Sequence, residues 1–108
     1  MLQIIRIWHR WTSFDNASAY EKLLKTEVFD GIFDNKLSGF NGIELAQKRV
    51  AEEVAFVTVM WFASIEHIKA FAGEAYETAY VPPAARAIFK RIDPLAKHYR
   101  VLETLPNA

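Results

Sequence analysis

The feature that most constrains the fold is a nearly continuous apolar run, VAFVTVMWF, at residues 54–62. It is short, rich in β-branched and aromatic side chains, and preceded by a polar turn at residues 51–53. These properties predict a strand rather than a helix, and a strand whose two faces are both covered. The rest of the chain therefore has to supply neighbouring strands and a layer for each face.

Three other segments predict strands because apolar and polar residues alternate along them. They are residues 2–11, 43–50 and 96–103. Both faces of the first segment carry large apolar side chains, so we expect it to be covered on both sides as well. Its alternation sets two faces, which are Gln3, Ile5, Ile7, His9 and Trp11 on one side and Leu2, Ile4, Arg6, Trp8 and Arg10 on the other.

Two helical regions separate the predicted strands. The first has four possible N-caps, which are Thr12, Ser13, Asp15 and Ser18, and Ser18 with Glu21 fits a capping box. It ends between residues 29 and 33. The second, at residues 64–73, has a serine cap at its start and a glycine stop at its end. After an irregular connector, an apolar stripe over residues 82–92 predicts a further helix that opens on two prolines.

The order of elements is β-α-β-β-α-β, with the second helical region in two parts. This order predicts one α+β, ferredoxin-like domain over residues 1–108, a four-stranded antiparallel sheet with helices on one face only. The other face would expose a large apolar area, including alternate residues of 54–62, and monomers rarely leave such an area uncovered. We therefore expect a homodimer that packs the two open faces together around a two-fold axis.

The composition excludes several classes of function. Thirteen Lys and Arg balance thirteen Asp and Glu, so neither nucleic-acid binding nor a polybasic membrane contact is expected. The absence of cysteine excludes disulfides, thiolate metal sites and cysteine nucleophiles. Nucleotide-binding and acyl-transfer motifs are missing too. With no membrane-span or signal-peptide pattern in the sequence, we expect a cytoplasmic protein.

Two histidines are candidate proton-transfer groups. His9 lies among aromatic neighbours on the first strand and His98 on the last, and desolvation readily shifts a histidine pKa. For each, the alternative is a structural histidine with a hydrogen-bond partner. A metal site would require these two to meet in space, and no metal-ligand spacing in the sequence supports one. His67 is expected to face solvent or to cap its helix.

The first strand also carries two arginines that need an explanation. Arg6 and Arg10 share a face, and if that face is buried each requires a carboxylate, for which Glu44 is the candidate partner. The alternative is that they bind an anionic or carbonyl-bearing ligand. Trp61, at the end of the apolar run, either packs in the core or forms the wall of a pocket.

The chain resembles the antibiotic biosynthesis monooxygenase-like group of dimeric α+β barrel proteins. The resemblance rests on the runs FVTVMWFASIEHIKAFAGEAYETAYVPP and DPLAKHYRV, the opening IRIWHRW, Tyr20 and the loop GFNG at residues 39–42. It implies two ferredoxin-like protomers packed sheet against sheet, each with a cavity between its sheet and its helices. It also implies that Trp61 corresponds to a cavity tryptophan and that Asn41 offers an amide to a phenolic substrate.

Members of that group include cofactor-independent oxygenases acting on polycyclic phenols and quinones, and haem-degrading enzymes. The resemblance implies that a haem degrader would have a histidine in the helix after the cavity tryptophan and an asparagine in the first strand. In this sequence His67 falls too close to Trp61, and Phe71 stands where the ligand would be expected. We therefore expect no haem and no other cofactor.

The leading hypothesis is a cofactor-independent oxygenase that acts on a small aromatic or polycyclic metabolite. His98 or His9 would act as the base. The substrate-binding residues would be Trp61, Asn41, Arg10 and Trp11. The competing hypothesis is a ligand-binding or stress-associated homodimer that catalyses no reaction.

Overall fold

The computed structural model describes residues 3–28, 38–79, 81 and 83–105. Within them the chain forms five strands and three helices. The strands are β1 (Ile4–Ser13), β2 (Phe40–Val50), β3 (Glu53–Phe62), β4 (Phe89–Ile92) and β5 (Lys97–Arg100). The helices are α1 (Ala17–Leu23), which continues as a wider π-helical turn over Leu24–Val28, then α2 (Ile65–Ala72) and α3 (Pro83–Arg86).

All neighbouring strands are antiparallel, and β3 lies between β2 and β1. The other edge of β1 pairs with two short strands, β4 opposite Arg10–Thr12 and β5 opposite Ile4–Ile7. Together β4 and β5 occupy the place of one interrupted edge strand. This arrangement confirms the predicted α+β, ferredoxin-like class, with five strands instead of four.

The helix predicted over residues 82–92 is wrong in its second half. Helix α3 ends at Arg86, and Phe89–Ile92 form β4. The spacing of the apolar residues in this segment suits a helix as well as a strand. The free edge of β1 has backbone N–H and C=O groups that a strand can pair with and that a helix would leave unpaired. Pro94, which has no backbone N–H, follows β4 at the break between the two edge strands.

The predicted capping box at Ser18 is also wrong, because helix α1 begins at Ala17 and Ser18 is its second residue. Its N-cap is Asn16, whose side chain makes no capping hydrogen bond. The hydroxyl of Ser13 accepts from the Asn16 backbone N–H at 3.2 Å instead. The caps of α2 are confirmed, since Ser64 Oγ accepts from the His67 N–H and Gly73 ends the helix.

Strand β3 alternates strictly between two environments. Its helix-facing residues are buried, and they are Val54, Phe56, Thr58, Met60 and Phe62. Its other residues are half-buried, and they are Glu53, Ala55, Val57, Val59 and Trp61. The second face is therefore not covered within this chain. We call it the open face, and the register adds Ile5, Ile7, His9 and Trp11 from β1 to it.

The core beneath the helices is divided into two apolar clusters. The α1 cluster contains Tyr20, Leu24, Val54, Phe56, Val81 and Ala85. The α2 cluster contains Met60, Phe62 and Ile68. Thr58 lies between the two clusters along β3, so the middle of the helix-facing surface is polar. No helix among the described residues is long and apolar enough to cross a membrane.

Candidate functional site

Five polar side chains, four of them buried and one half-buried, lie on the helix-facing side of the sheet, and we call this set the polar seam. It consists of Arg6, Arg10, Thr58, Tyr20 and His98. The two arginines lie on the helix-facing side of β1 because they have the same parity as Ile4 and Trp8 along the strand. The chain thus places its most polar buried groups among the apolar residues beneath the helices.

Arg10 is the most completely buried of these groups, with only 1% of its surface exposed. Its Nε donates to the hydroxyl of Tyr20 at 2.8 Å. Its Nη1 donates to Thr58 Oγ1 at 2.8 Å and to the backbone carbonyl of Trp8 at 3.1 Å. The guanidinium also lies 4.6 Å from the centre of the Trp8 ring, so an aromatic face supports the charge.

Arg6 holds the other end of the seam. Its Nη1 donates to the carbonyl of Tyr76 at 2.5 Å and contacts His98 Nε2 at 3.0 Å. An arginine can only donate, so Nε2 accepts and the His98 proton lies on Nδ1. The Tyr76 ring meets the His98 ring edge-on at 5.0 Å. His98 is therefore held neutral and in one orientation.

Burial decides the protonation of the seam. It lowers the pKa of Arg6 and Arg10, although a guanidinium stays charged at neutral pH. It raises the pKa of Tyr20 despite the opposing effect of Arg10, so the phenol keeps its proton. Burial, and then the charge of Arg6, lower the pKa of His98, while Glu77 acts in the opposite direction.

In the described part of the chain, neither buried arginine forms an ion pair with a carboxylate. The predicted partner Glu44 is exposed and lies opposite Val59, on the open face. That prediction is wrong because the parity of β2 turns Glu44 away from the helices. The same residues contain no group of three His, Asp or Glu that could hold a metal ion.

The structure does not bring the predicted site residues together. Arg10 and His98 lie on the helix-facing side, whereas His9 and Trp11 stack at 6.5 Å on the open face. Trp61 also lies on the open face, opposite Ile5. A pairing of His9 with His98 in a metal site is thereby excluded, since the two rings project from opposite faces of the sheet.

Trp61 does not lie where the family resemblance implies, and Asn41 lies at the surface. Trp61 does not line the space between sheet and helices, because Phe62, the next residue, takes the helix-facing position with no exposed surface. Asn41 is exposed at the start of β2, where its amide donates to Gln3 Oε1 at 2.9 Å. His67 lies in the first turn of α2, with its Nδ1 2.7 Å from the Oγ of Ser64, the N-cap of that helix.

Tyr20 and Thr58 belong to the seam but were not predicted as site residues. Tyr20 fits the pattern of apolar residues along the first predicted helix, so only its hydroxyl group indicates another role. Thr58 is the single hydroxyl-bearing residue in the apolar run 54–62. A polar group at a buried position of a central strand needs a hydrogen-bond partner. This feature of the sequence could have identified Thr58 as part of the site.

A cleft of about 310 Å³ opens at the edge of the molecule, between α1 and β2. It is lined by Glu21, Lys25, Leu45, Ala46, Gln47 and Phe56. The Phe56 ring meets the Tyr20 ring edge-on at 5.0 Å. The cleft therefore ends one side chain away from the hydroxyl that accepts from Arg10.

One solved structure identifies the fold. It is described as a "putative antibiotic biosynthesis monooxygenase" from Bacillus cereus, and it aligns with 99% of this chain and 100% of its own at a TM-score of 0.70. The chain has the antibiotic biosynthesis monooxygenase fold. The two sequences are 18% identical, so the likeness is one of fold. No family model matches the sequence, and no curated protein matches it.

This comparison confirms the resemblance to the antibiotic biosynthesis monooxygenase-like group at the level of architecture. In this fold the helices cover one face of the sheet, which here is the face that carries the polar seam. Since the alignment spans nearly the whole of both chains, the seam lies inside the shared architecture and not in an added segment.

Proposed function

We propose that the protein is a cofactor-independent oxygenase for a small aromatic or polycyclic substrate, which binds at the polar seam. The observation that carries the proposal is the Arg10–Tyr20–Thr58 cluster, a set of hydrogen-bond donors on a buried cation, on the same side of the sheet as His98. Such a set favours an oxyanion in a place from which water is largely excluded.

The chemistry requires a base, hydrogen-bond donors and a site that excludes water. The base removes a proton from the substrate, giving a phenolate or carbanion, and the donors hold the negative charge. The anion then passes one electron to oxygen, and the two radicals combine to form a peroxide. The peroxide takes up a proton and loses water as its O–O bond breaks, so that a CH2 carbon of the substrate becomes a carbonyl. This oxidation of the carbon supplies the four electrons that O2 takes up, so no external reductant is needed.

His98 is the histidine best suited to act as the base. Its lowered pKa keeps it neutral near pH 7, and Nε2 would become free to accept the substrate proton when Arg6 donates to the substrate instead. Arg10 would stabilise the substrate anion, with the Tyr20 and Thr58 hydroxyls beside it. We assign Trp61, Trp11 and His9 to the open face and thus to an interface instead of the reaction centre.

The open face is proposed to be covered by a second copy of the chain. Its β1 and β3 residues form a continuous, half-buried apolar surface, to which β5 adds Tyr99 opposite Ile5. Pairing of two such faces around a two-fold axis would bury them. A cytoplasmic location belongs to the same proposal, and it rests on the cysteine-free sequence.

A second candidate function is ligand binding without catalysis. The observation that favours it is that His98 Nε2 is already occupied by Arg6 at 3.0 Å. In that case the histidine positions Arg6, and the seam holds a ligand that leaves unchanged.

Oxygen consumption with a panel of hydroquinones and anthrones tests the choice, after the rate without protein has been subtracted. His98→Ala is expected to lower kcat by about a hundredfold, the usual range for loss of a general base. Binding of these compounds without turnover would favour the ligand-binding function. If His9→Ala abolishes turnover and His98→Ala does not, the proposed site is on the wrong face.

A further inference from the structure

The donors around Arg10 outnumber their acceptors. A guanidinium carries five N–H donors, and those on Nε and Nη1 are taken up by Tyr20, Thr58 and the Trp8 carbonyl. Among the described residues, nothing accepts from the two N–H groups of Nη2. One edge of a 99% buried cation thus remains without an acceptor.

The two hydroxyls beside Arg10 add donors of their own. Tyr20 Oη and Thr58 Oγ1 each accept from the guanidinium, which leaves each hydroxyl hydrogen to point elsewhere. In the described part of the chain neither hydroxyl donates to another side chain or carbonyl. Nη2 and these two hydroxyls therefore form a group of hydrogen-bond donors for which the described residues supply no acceptor.

Nη2 keeps a trace of accessible surface. No fully buried polar side-chain atom in the described residues lacks a hydrogen-bond partner. Since Nη2 has none there, the small remaining exposure of Arg10 includes this atom. The unsatisfied edge of the guanidinium is consequently the edge that a ligand atom can reach.

The described carboxylates do not pair with the two buried arginines, although Glu77 lies near enough to His98 to act on its pKa. Asp15, Glu44, Glu66, Glu74 and Glu77 are exposed, and Glu53 pairs with Lys90 and Arg91 at the edge of the sheet. Two guanidinium charges are buried while these carboxylates stay outside. A buried cation without a counter-charge is costly, so an anionic ligand would gain strongly by binding there.

The surroundings of Arg10 select the kind of anion. Trp8 lies under the guanidinium at 4.6 Å, and Tyr20 packs edge-on against Phe56 and Phe89 at 5.0 and 4.8 Å. An inorganic anion would use only the donors. The aromatic or polycyclic body of the proposed substrate would lie among these rings and carry its charge to the donors.

We propose that the ligand of the polar seam carries a carboxylate on an aromatic ring system, and that this carboxylate binds Arg10 Nη2 and the hydroxyls of Tyr20 and Thr58. The inference rests on the proposed function for the location of the site and narrows its substrate class. It does not depend on whether any reaction follows.

Isothermal titration calorimetry with a matched pair of probes tests this proposal. The compounds are 2-naphthoate and 2-naphthamide, which have the same ring system and differ in charge. We expect the carboxylate to bind the wild-type protein at least about tenfold more tightly, a difference of about 1.4 kcal/mol. Equal affinity for the two compounds, or no binding of either at millimolar concentration, would overturn the proposal.

Variants then locate the carboxylate. Tyr20→Phe and Thr58→Val each remove one hydroxyl at nearly constant shape, and each should weaken 2-naphthoate by about three- to tenfold while leaving 2-naphthamide unchanged. Arg10→Gln should abolish the preference for the carboxylate. The control is Arg49→Gln, which removes an exposed arginine that stacks on Phe14 at 4.2 Å and should keep the wild-type preference.

The possible results separate this inference from the proposed function. A preference for the carboxylate that survives both hydroxyl variants would overturn the assigned donors, even if Arg10→Gln does not fold. Tight carboxylate binding without oxygen consumption would leave the anion site intact and remove the oxygenase. Turnover of neutral hydroquinones with no preference for carboxylated ones would remove the anion site alone.

Discussion

Arg10 shows how one residue organises this site. Its three hydrogen bonds reach helix α1, strand β3 and its own strand, so the guanidinium links the layers of the fold at one point. Replacing a buried ion with an apolar residue is often neutral for stability or even favourable. A buried Arg10 without a carboxylate partner among the described residues therefore points to a role beyond folding.

Thr58 should be important for stability because it accepts from Arg10. Thr58→Val keeps the shape of the side chain and leaves an Arg10 N–H without its acceptor. We expect it to lower the free energy of unfolding by about 1–2 kcal/mol. Urea denaturation measures the change, with Thr58→Ser as the control that keeps the hydroxyl. A Val variant as stable as the Ser variant would mean that the 2.8 Å contact contributes nothing.

His98 should make stability depend on pH. Burial and Arg6 lower its pKa in the folded protein, so the unfolded chain takes up the proton first as the pH falls. Its contribution is fully present above the unfolded pKa of about 6.5 and is lost progressively below it. Urea denaturation at pH 7.5 and 5.5 should therefore show a larger loss for the wild type than for His98→Gln. Equal losses would contradict a neutral, buried His98.

At the scale of elements, the sequence correctly predicted the features that depend only on residues close to them in the chain. The alternation of β1 and β3, the Ser64 cap and the Gly73 stop follow from local side-chain chemistry and are confirmed. Segment 87–92 could not be settled locally. Its apolar residues fit a helix equally well, and only the free edge of β1, a feature of the assembled sheet, makes it a strand.

The loop that enters β2 is fixed by contact with helix α2. Gly39 has a positive φ of 72°, its carbonyl accepts from the Ala63 N–H at 2.8 Å, and a Cβ on it would lie 2.3 Å from the His67 ring. A left-handed conformation and a close approach both require glycine here. The loop and the cap of α2 therefore pack as one unit.

Gly39→Ala should destabilise the protein by more than about 1–2 kcal/mol, the usual cost of a left-handed alanine. Part of the loss comes from the His67 ring, so the substitution should cost less in a His67→Ala background. A double-mutant cycle by urea denaturation isolates that part. If Gly39→Ala costs the same in both backgrounds, the contact with His67 is not responsible.

At the scale of the whole molecule, the two faces of the sheet determine which parts of the site could be predicted from the sequence. Parity on β1 correctly grouped Arg6 with Arg10 and His9 with Trp11. The face that each group occupies was not accessible, because a strand whose two sides are both apolar gives no sign of which side the helices cover. Trp61 was misplaced for that reason, since the family resemblance put it beneath the helices and the register puts it on the open face.

The open face should also determine the assembly. If two copies pack through it, Val57→Glu places a charge in the middle of the apolar surface and should convert the dimer into a monomer. Lys22→Glu, on the exposed side of α1, is the control and should stay dimeric. Light scattering at micromolar concentration measures the mass, and a monomeric wild-type protein would contradict the proposed pairing.

The central claim is that the ligand binds between the sheet and the helices, and strand β3 offers alternating reporters of its two faces. Methyl NMR spectra would be recorded while 2-naphthoate, or 1,4-naphthohydroquinone without oxygen, is added to protein labelled at Thr58, Met60, Val57 and Val59. If the ligand binds there, we expect shifts of the Thr58 and Met60 methyl signals with little change at Val57 and Val59. Shifts confined to the two valines would place the ligand on the open face and contradict it.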